Sequence, residues 1–261
     1  MSGTIMTKMS DLLERVTAFR AAFARRQASE TVELPGAFAV HDSDFSQSQE
    51  HNQLIVHASD ADPAALPELA AQGLGPRRQY RITVLDEALG ERATPGLAAA
   101  GYDRDTELIL ARETAGCALP EPAAHPVELA ELRAAVFRQQ LDWGLDGDLA
   151  RQLTERRTAR LRGAEKVAFL AARTPDGEIA AWADLYLDRT AGLAQLEDLV
   201  TAVPHRKQGH GDTLLATGLA LAAAAGIPQL FLIADATDWP REWYSCRGFT
   251  ELGRSYSFLN R

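Results

Sequence analysis

The stretch Val203–Gly226, VPHRKQGHGDTLLATGLALAAAAG, places Arg206, Lys207 and two glycines, Gly209 and Gly211, directly ahead of an alanine- and leucine-rich run. That run reads as a helix. A helix begins with unpaired backbone N–H groups and a partial positive charge. Glycines just before it let the backbone approach a ligand and point several N–H groups one way. Arg206 and Lys207 add full charge, and an arginine grips phosphate oxygens in two-pronged fashion. The combination predicts a cradle for a pyrophosphate. A nucleotide P-loop would require a Gly-Lys-Ser/Thr ending, and a dinucleotide fingerprint would require three spaced glycines; neither is present.

The surrounding text predicts alternating strands and helices. Upstream lie three strand-like runs, KVAFLAAR, EIAAWADLYL and LAQLEDLVT, the first two joined by a turn at Asp176-Gly177. Downstream come the strand QLFLIAD, the short helical piece WPREWYSCRGF and the strand RSYSFL. Helical text from Val127 to about Arg162, broken at DWGLDGD, precedes this set. The N-terminal half opens with an amphipathic helix over Asp11–Gln27, on which Leu12, Leu13, Val16, Phe19 and Phe23 recur at helical spacing. The strands TVEL and AFAV follow, split by Pro35-Gly36. Next come the strand NQLIVHA, a helix capped by Asp62, the strand QYRITVLD, a short helix TPGLAAAGY and the strand TELILAR.

The two halves share an order of elements: strand, helix, strand, short helix, Gly-aromatic, strand. The aromatic pairs are Gly101-Tyr102 and Gly248-Phe249. This suggests a degenerate internal repeat. The Pro- and Ala-rich segment ETAGCALPEPAAHPVEL separates the halves, so the expected domains are residues 1–113 and 117–261. The segment is also a candidate for the first strand of the second domain.

The net charge of −9 argues against a nucleic-acid binder or a membrane-surface protein and weakly favours a cationic substrate. Cys117 and Cys246 lie far apart and read as unpaired thiols in a reducing cytoplasm. The six histidines show no metal-ligand spacing, so no metal is expected. No apolar run reaches membrane-spanning length, and the N-terminus carries no apolar signal core. A homodimer is left open as the assembly.

RKQGHG resembles the Arg/Gln-x-x-Gly-x-Gly/Ala cradle of the GNAT acyltransferases, which bind the pyrophosphate of coenzyme A. WYSCRGF resembles the Tyr-x-x-x-Gly-Phe ending of the same family. The resemblance covers about Cys117–Arg261, and the first half by element order alone. It implies an α/β fold with a mixed, mostly antiparallel sheet and helices on both faces, here as two tandem domains with a degenerate first half that has no cradle. It implies acetyl-CoA as cosubstrate and a small-molecule or peptide primary amine as acceptor. The pantetheine arm would pair with Leu199-Val200-Thr201 in a gap between splayed parallel strands. Arg206, Lys207, Gln208, Gly209, His210, Gly211 and Asp212 would hold the pyrophosphate. His205 and His210 are read as solvated loop histidines. Asp238 stands where many members carry an asparagine that touches the pantetheine, a departure in charge.

For catalysis the resemblance implies Tyr244 beside the departing sulfur, donating to the thiolate. A phenol near pKa ~10 against a thiol near ~8.5 makes hydrogen bonding sufficient in place of full transfer. A base must take a proton from an ammonium acceptor. Glu197 and Asp198 lie on the strand before the cradle, expected on opposite faces. Glu197, sharing a face with Leu199 and Thr201, is preferred; Asp184 on the preceding strand is a further candidate. Against the enzyme stand a non-catalytic acyl-CoA sensor, which would need the cradle but neither base nor acid, and a scaffold, which would leave the cradle unexplained.

Overall fold

The computed structural model describes residues 2–76, 79–115 and 123–260. In chain order the elements are α1 (Ser2–Gln27), β1 (Glu30–Leu34), β2 (Ala37–His41), β3 (Gln53–Val56), α2 (Leu66–Leu74), β4 (Arg81–Val84), α3 (Glu87–Ala99) and β5 (Tyr102–Glu113). There follow β6 (His125–Val127), α4 (Leu129–Asp142), α5 (Gly147–Glu155), α6 (Arg157–Arg160), β7 (Lys166–Arg173), β8 (Ile179–Asp188) and β9 (Leu193–Thr201). The last are α7 (His210–Ala224), β10 (Gln229–Asp235), α8 (Pro240–Ser245) and β11 (Thr250–Asn260). Two compact units result, one of Met1–Leu110 with Ile233–Arg261 and one of Ala111–Leu232. Residues 233–261, expected within the second domain, therefore group with the N-terminal half.

In the first unit the strand order is β1-β2-β3-β4-β11-β5. β3 and β4 run parallel, while β11 runs antiparallel to β4 with Tyr256 opposite Val84. A strand from the end of the chain thus lies between two strands of the N-terminal half. Local sequence periodicity does not reveal such a partner, because pairing across so many residues is set by packing. Alternation along the strands separates two cores. Ala37, Ala39, Leu54, Val56, Ile82 and Val84 pack with α2 and α3, whereas Phe38, Val40 and Ile55 pack with Ala21 and Ala24 of α1. Gly90 lets α3 lie against β11, since a Cβ there would stand 2.1 Å from the Tyr256 ring.

Two helices are longer than their sequence signals. α1 begins at Ser2 rather than at Asp11. α3 begins at Glu87 because the Asp86 side chain accepts from the Leu89 amide at 2.7 Å; Pro95, expected near the start, lies inside it. Asp62 caps a 3-10 turn at Pro63–Ala65, accepting from the Ala64 amide.

In the second unit the order is β10-β9-β8-β7-β6, with β10 and β9 parallel and the rest antiparallel. The Pro/Ala-rich segment does hold a first strand, β6. α4 packs Leu132 and Val136 on Trp182 and Phe169. The opposite face meets α7, whose Gly218 approaches Leu196, Leu230 and Leu185. Helices therefore cover both faces of a mixed, mostly antiparallel sheet. Cys117 lies outside the described residues. Among the described residues no helix is long and apolar enough to cross a membrane.

Candidate functional site

β9 carries the site's first component. Its parallel register with β10 pairs Leu193, Ala194 and Gln195 with Gln229, Leu230 and Phe231, and β9 then continues through Leu196–Thr201 past its last partner there. On its other side β9 stays paired with β8 to the end, where Thr201 faces Ala181 and the Ala202 amide donates to the Ala180 carbonyl at 3.0 Å. The described register of β9 with β10 thus stops at Gln195, whereas its pairing with β8 runs on to Thr201.

A bulge interrupts this ladder. Asp184 faces Glu197 and Trp182 faces Val200, so Ala183 alone opposes both Asp198 and Leu199. Asp198 takes a left-handed conformation, φ +49°. The extra residue resets the alternation. Glu197 shares its face with Val200, not with Thr201, which pairs with Ala181 on the other face. The expected placement of Glu197 with Leu199 and Thr201 rested on an uninterrupted pleat and is corrected by the bulge. Glu197 is half-buried, and its Oε2 accepts from Gln195 Nε2 at 2.5 Å.

Asp198 and Asp184 are not strand-end charges in solvent. Two arginines of α6, three positions apart and so on one side of the helix, reach both carboxylates. Arg157 Nε donates to both Asp184 oxygens at 3.1 Å and its Nη2 to Asp198 Oδ2 at 2.9 Å. Arg160 Nη1 donates to Asp184 Oδ2 and to Asp198 Oδ2, each at 2.6 Å. Both arginine side chains and Asp184 are buried, while the Asp198 side chain keeps 29% exposure. Burial pushes the Arg157 guanidinium down, but Asp184 and Asp198 beside it prevail over this and over Arg160, and the net shift is upward. Both aspartates are engaged by the two guanidiniums. Sequence reading missed Arg157 and Arg160 because RRTAR resembles a solvated helix face. The available signal was Asp184 itself: a charge in the apolar run AAWADLYL requires a buried cation.

The second component is the loop after β9. A 3-10 turn at Val203–His205 leads into Arg206, whose Nε donates to the Thr201 carbonyl at 3.5 Å. Lys207 is left-handed at φ +62° and Gly209 at φ +85°. Asp198 and Lys207 are the two non-glycine residues with positive φ among those described, and such backbone concentrates at functional sites. Gly209 is the N-cap of α7 and supplies no side chain to its N–H groups. A Cβ at Gly209 would meet nothing within 4 Å, so the N-cap position itself is open. His210, Gly211 and Asp212 form that turn. Gln208 Nε2 turns back to the Pro204 carbonyl at 3.3 Å. His205 is not fully solvated: its side chain is 16% exposed and its Nε2 lies 3.5 Å from Glu178. A helix start without a side-chain cap, preceded by two cations, makes a donor set that fits a pyrophosphate.

Tyr244 and Asp238 belong to the first unit. The Tyr244 ring is mostly buried, edge-on to Trp243 at 4.9 Å and to Phe249 at 5.6 Å. The Phe249 amide donates to the Tyr244 carbonyl at 3.2 Å, which closes the Tyr-x-x-x-Gly-Phe turn. Asp238 is occupied locally, its Oδ1 accepting from the Trp239 amide at 2.8 Å.

Residues 131–249 match the model of the acetyltransferase (GNAT) family. No curated protein matches the sequence. Among solved structures, a functionally unknown conserved protein from Staphylococcus epidermidis superposes with TM-score 0.64 at 11% identity, over 88% of this chain and 92% of that one. A GCN5-related N-acetyltransferase from Kribbella flavida gives 0.60 at 18% identity, over 95% of each chain. A tandem GNAT protein from the clavulanic acid biosynthesis pathway gives 0.51 at 13% identity, over 96% and 94%. At these identities the likeness is one of fold.

Proposed function

We propose, from the premise that residues 131–249 match the GNAT acetyltransferase family model, that the protein is an N-acetyltransferase acting from acetyl-CoA on a primary amine by direct attack. The observation that carries the proposal is a β9 that runs on past its described register with β10 into a glycine-capped helix start in the same unit. Acetyl-CoA would supply an activated thioester. The chain's own part is to hold it and to manage protons. Backbone groups of Leu199–Thr201 would receive the extended pantetheine arm in the manner of an added strand. The loop Arg206–Asp212 would bind the pyrophosphate. An N–H near Val200 would polarise the thioester carbonyl, a contribution usually worth ~3 kcal/mol.

Glu197 is the proposed base. It lies on the strand that leads to the loop, on the same face as Val200, and its hydrogen bond from Gln195 orients it. Tyr244 is the proposed donor to the leaving sulfur, on the strength of its motif within the matched residues. No covalent enzyme intermediate is required; Cys246 is an exposed free thiol. A reducing cytoplasmic setting belongs to the same reading.

The N-terminal half is proposed as a degenerate copy of the second. Both contain a parallel strand pair, β3–β4 and β9–β10, with an intervening helix. In both, a second helix leads through a left-handed glycine, Gly101 or Gly248, into the final strand. The deciding experiment is a screen of amines, peptides and aminoglycosides for acetyl-CoA-dependent thiol release. Amine-dependent release supports the enzyme. Acetyl-CoA binding with no release across the panel would favour an acyl-CoA-binding module.

A further inference from the structure

We propose that Arg157 and Arg160 are positioning residues whose paired guanidiniums, by holding Asp184 and Asp198 together, fix the left-handed bulge of β9 and with it the backbone register of Leu199–Thr201. The link to acetyl-CoA rests on the function proposed above; the clamp itself stands on geometry.

A bulge is a local choice between two ladders. Without it, Asp198 would face Ala183 in simple pairing, and every later residue of β9 would move one place and present its other side. Something must keep Asp198 at φ +49°, a conformation that Asp tolerates but does not prefer. The clamp supplies that constraint. Asp184 sits on β8 before the bulge position and Asp198 at it, and each guanidinium spans both carboxylates. Slipping the register would draw Asp198 away from two arginines that are 2% and 1% exposed. Buried guanidiniums left without a carboxylate are costly, so the slipped ladder is disfavoured. The two positive and two negative groups balance, so the cluster is retained without a net buried charge.

Three substitutions at Asp198 separate the carboxylate from the backbone. Asn accepts the left-handed conformation and keeps an oxygen for the arginines. Gly accepts the conformation and removes the oxygens. Ala lacks both. Amide hydrogen exchange, followed with and without acetyl-CoA, reads the clamp directly. In D198G and D198A the amides of Val200–Ala202 are expected to exchange at least tenfold faster than in the native protein, while those of β7 stay within about twofold. D198N, which keeps the conformation and an acceptor oxygen but removes one of the two negative charges, is expected to lie between the native protein and D198G. Acetyl-CoA affinity should fall at least tenfold in D198G and D198A and no more than about threefold in D198N. Native exchange at Val200–Ala202 in D198G would overturn the clamp. So would acceleration spread equally over the unit, which would mark mere loss of stability. If the native protein binds no acetyl-CoA, the functional reading fails, and the exchange pattern still decides the clamp.

Discussion

The Leu85 amide donates to the Val56 carbonyl at 3.0 Å, just past the last paired residues of the parallel strands β3 and β4. The N-terminal strand pair thus stays closed at its carboxyl end, where β9 runs on beyond its partners in β10. The helical segment after β3 starts with Asp62 capping its own N–H groups and Pro63 lacking one. Negative charge there suits the helix and repels a pyrophosphate. One acetyl-CoA per chain is therefore expected by calorimetry. A second site that survives a cradle mutation in residues 206–212 would refute the assignment of the first half as degenerate.

Gly211→Asp should weaken acetyl-CoA binding by about a hundredfold, corresponding to ~2.7 kcal/mol. The carboxylate would stand in the first turn of α7, where the helix dipole and the cations otherwise favour an anion. Gly211 is not among the left-handed residues, so the substitution carries no backbone penalty and the variant should fold. Calorimetry on the folded variant checks this; native affinity would place the anion site elsewhere.

Glu197→Gln should lower kcat/KM about a hundredfold at neutral pH and recover in part toward pH ~10, where the free amine of the acceptor is abundant. The Gln195 contact can be kept by the amide oxygen, so packing should not change. A pH–rate profile of the variant decides the matter. Full activity with no pH dependence would assign proton removal to another group.

The helix start behind the proposed cradle was legible because its signal is local: Arg206, Lys207, Gly209 and Gly211 lie within six residues, and helix-start physics acts within one turn. The strands were legible from alternation. The bulge was not, since an extra residue at Asp198 leaves no composition signal and depends on which residue of β8 it faces. Parity arguments for Glu197, Leu199 and Thr201 failed for that reason alone. The grouping of β11 with the N-terminal half was equally hidden: RSYSFL reads as a strand, and nothing in it says that Tyr256 will face Val84 and fill the space left by Gly90. Arg157 and Arg160 were disguised by a neighbourhood of exposed arginines.

Tyr244→Phe should reduce turnover about ten- to a hundredfold while acetyl-CoA affinity stays within about twofold. Phe preserves the ring contacts with Trp243 and Phe249, so only the hydroxyl is lost. An interaction made with a departing thiolate acts in the transition state and lowers kcat rather than raising the dissociation constant. Unchanged single-turnover rates in the variant would remove Tyr244 from the mechanism.

Glu107 on β5 offers a test of stability against pH. Arg20 Nη2 donates to its Oε2 at 2.7 Å, Ser255 Oγ donates to the same oxygen at 2.8 Å, and Arg81 Nη2 reaches Oε1 at 3.3 Å. Burial alone pushes this carboxyl up, but the two guanidiniums and the hydrogen bonds from Ser255 and Arg20 outweigh it and hold the group below its ordinary value. A depressed folded-state value means that the ionised group stabilises the fold. That stability is fully present above the unfolded value near ~4.3, and is lost as pH falls from there through the folded value. Glu107→Gln should remove this acid limb from the unfolding curve. It should also cost about 2–4 kcal/mol at pH 7, because Arg20 and Arg81 lose their shared carboxylate with side chains only 14% and 26% exposed. Denaturant unfolding from pH 7 to pH 3 measures both effects. A variant whose stability falls with acid as steeply as that of the native protein would show that other carboxylates set the acid response.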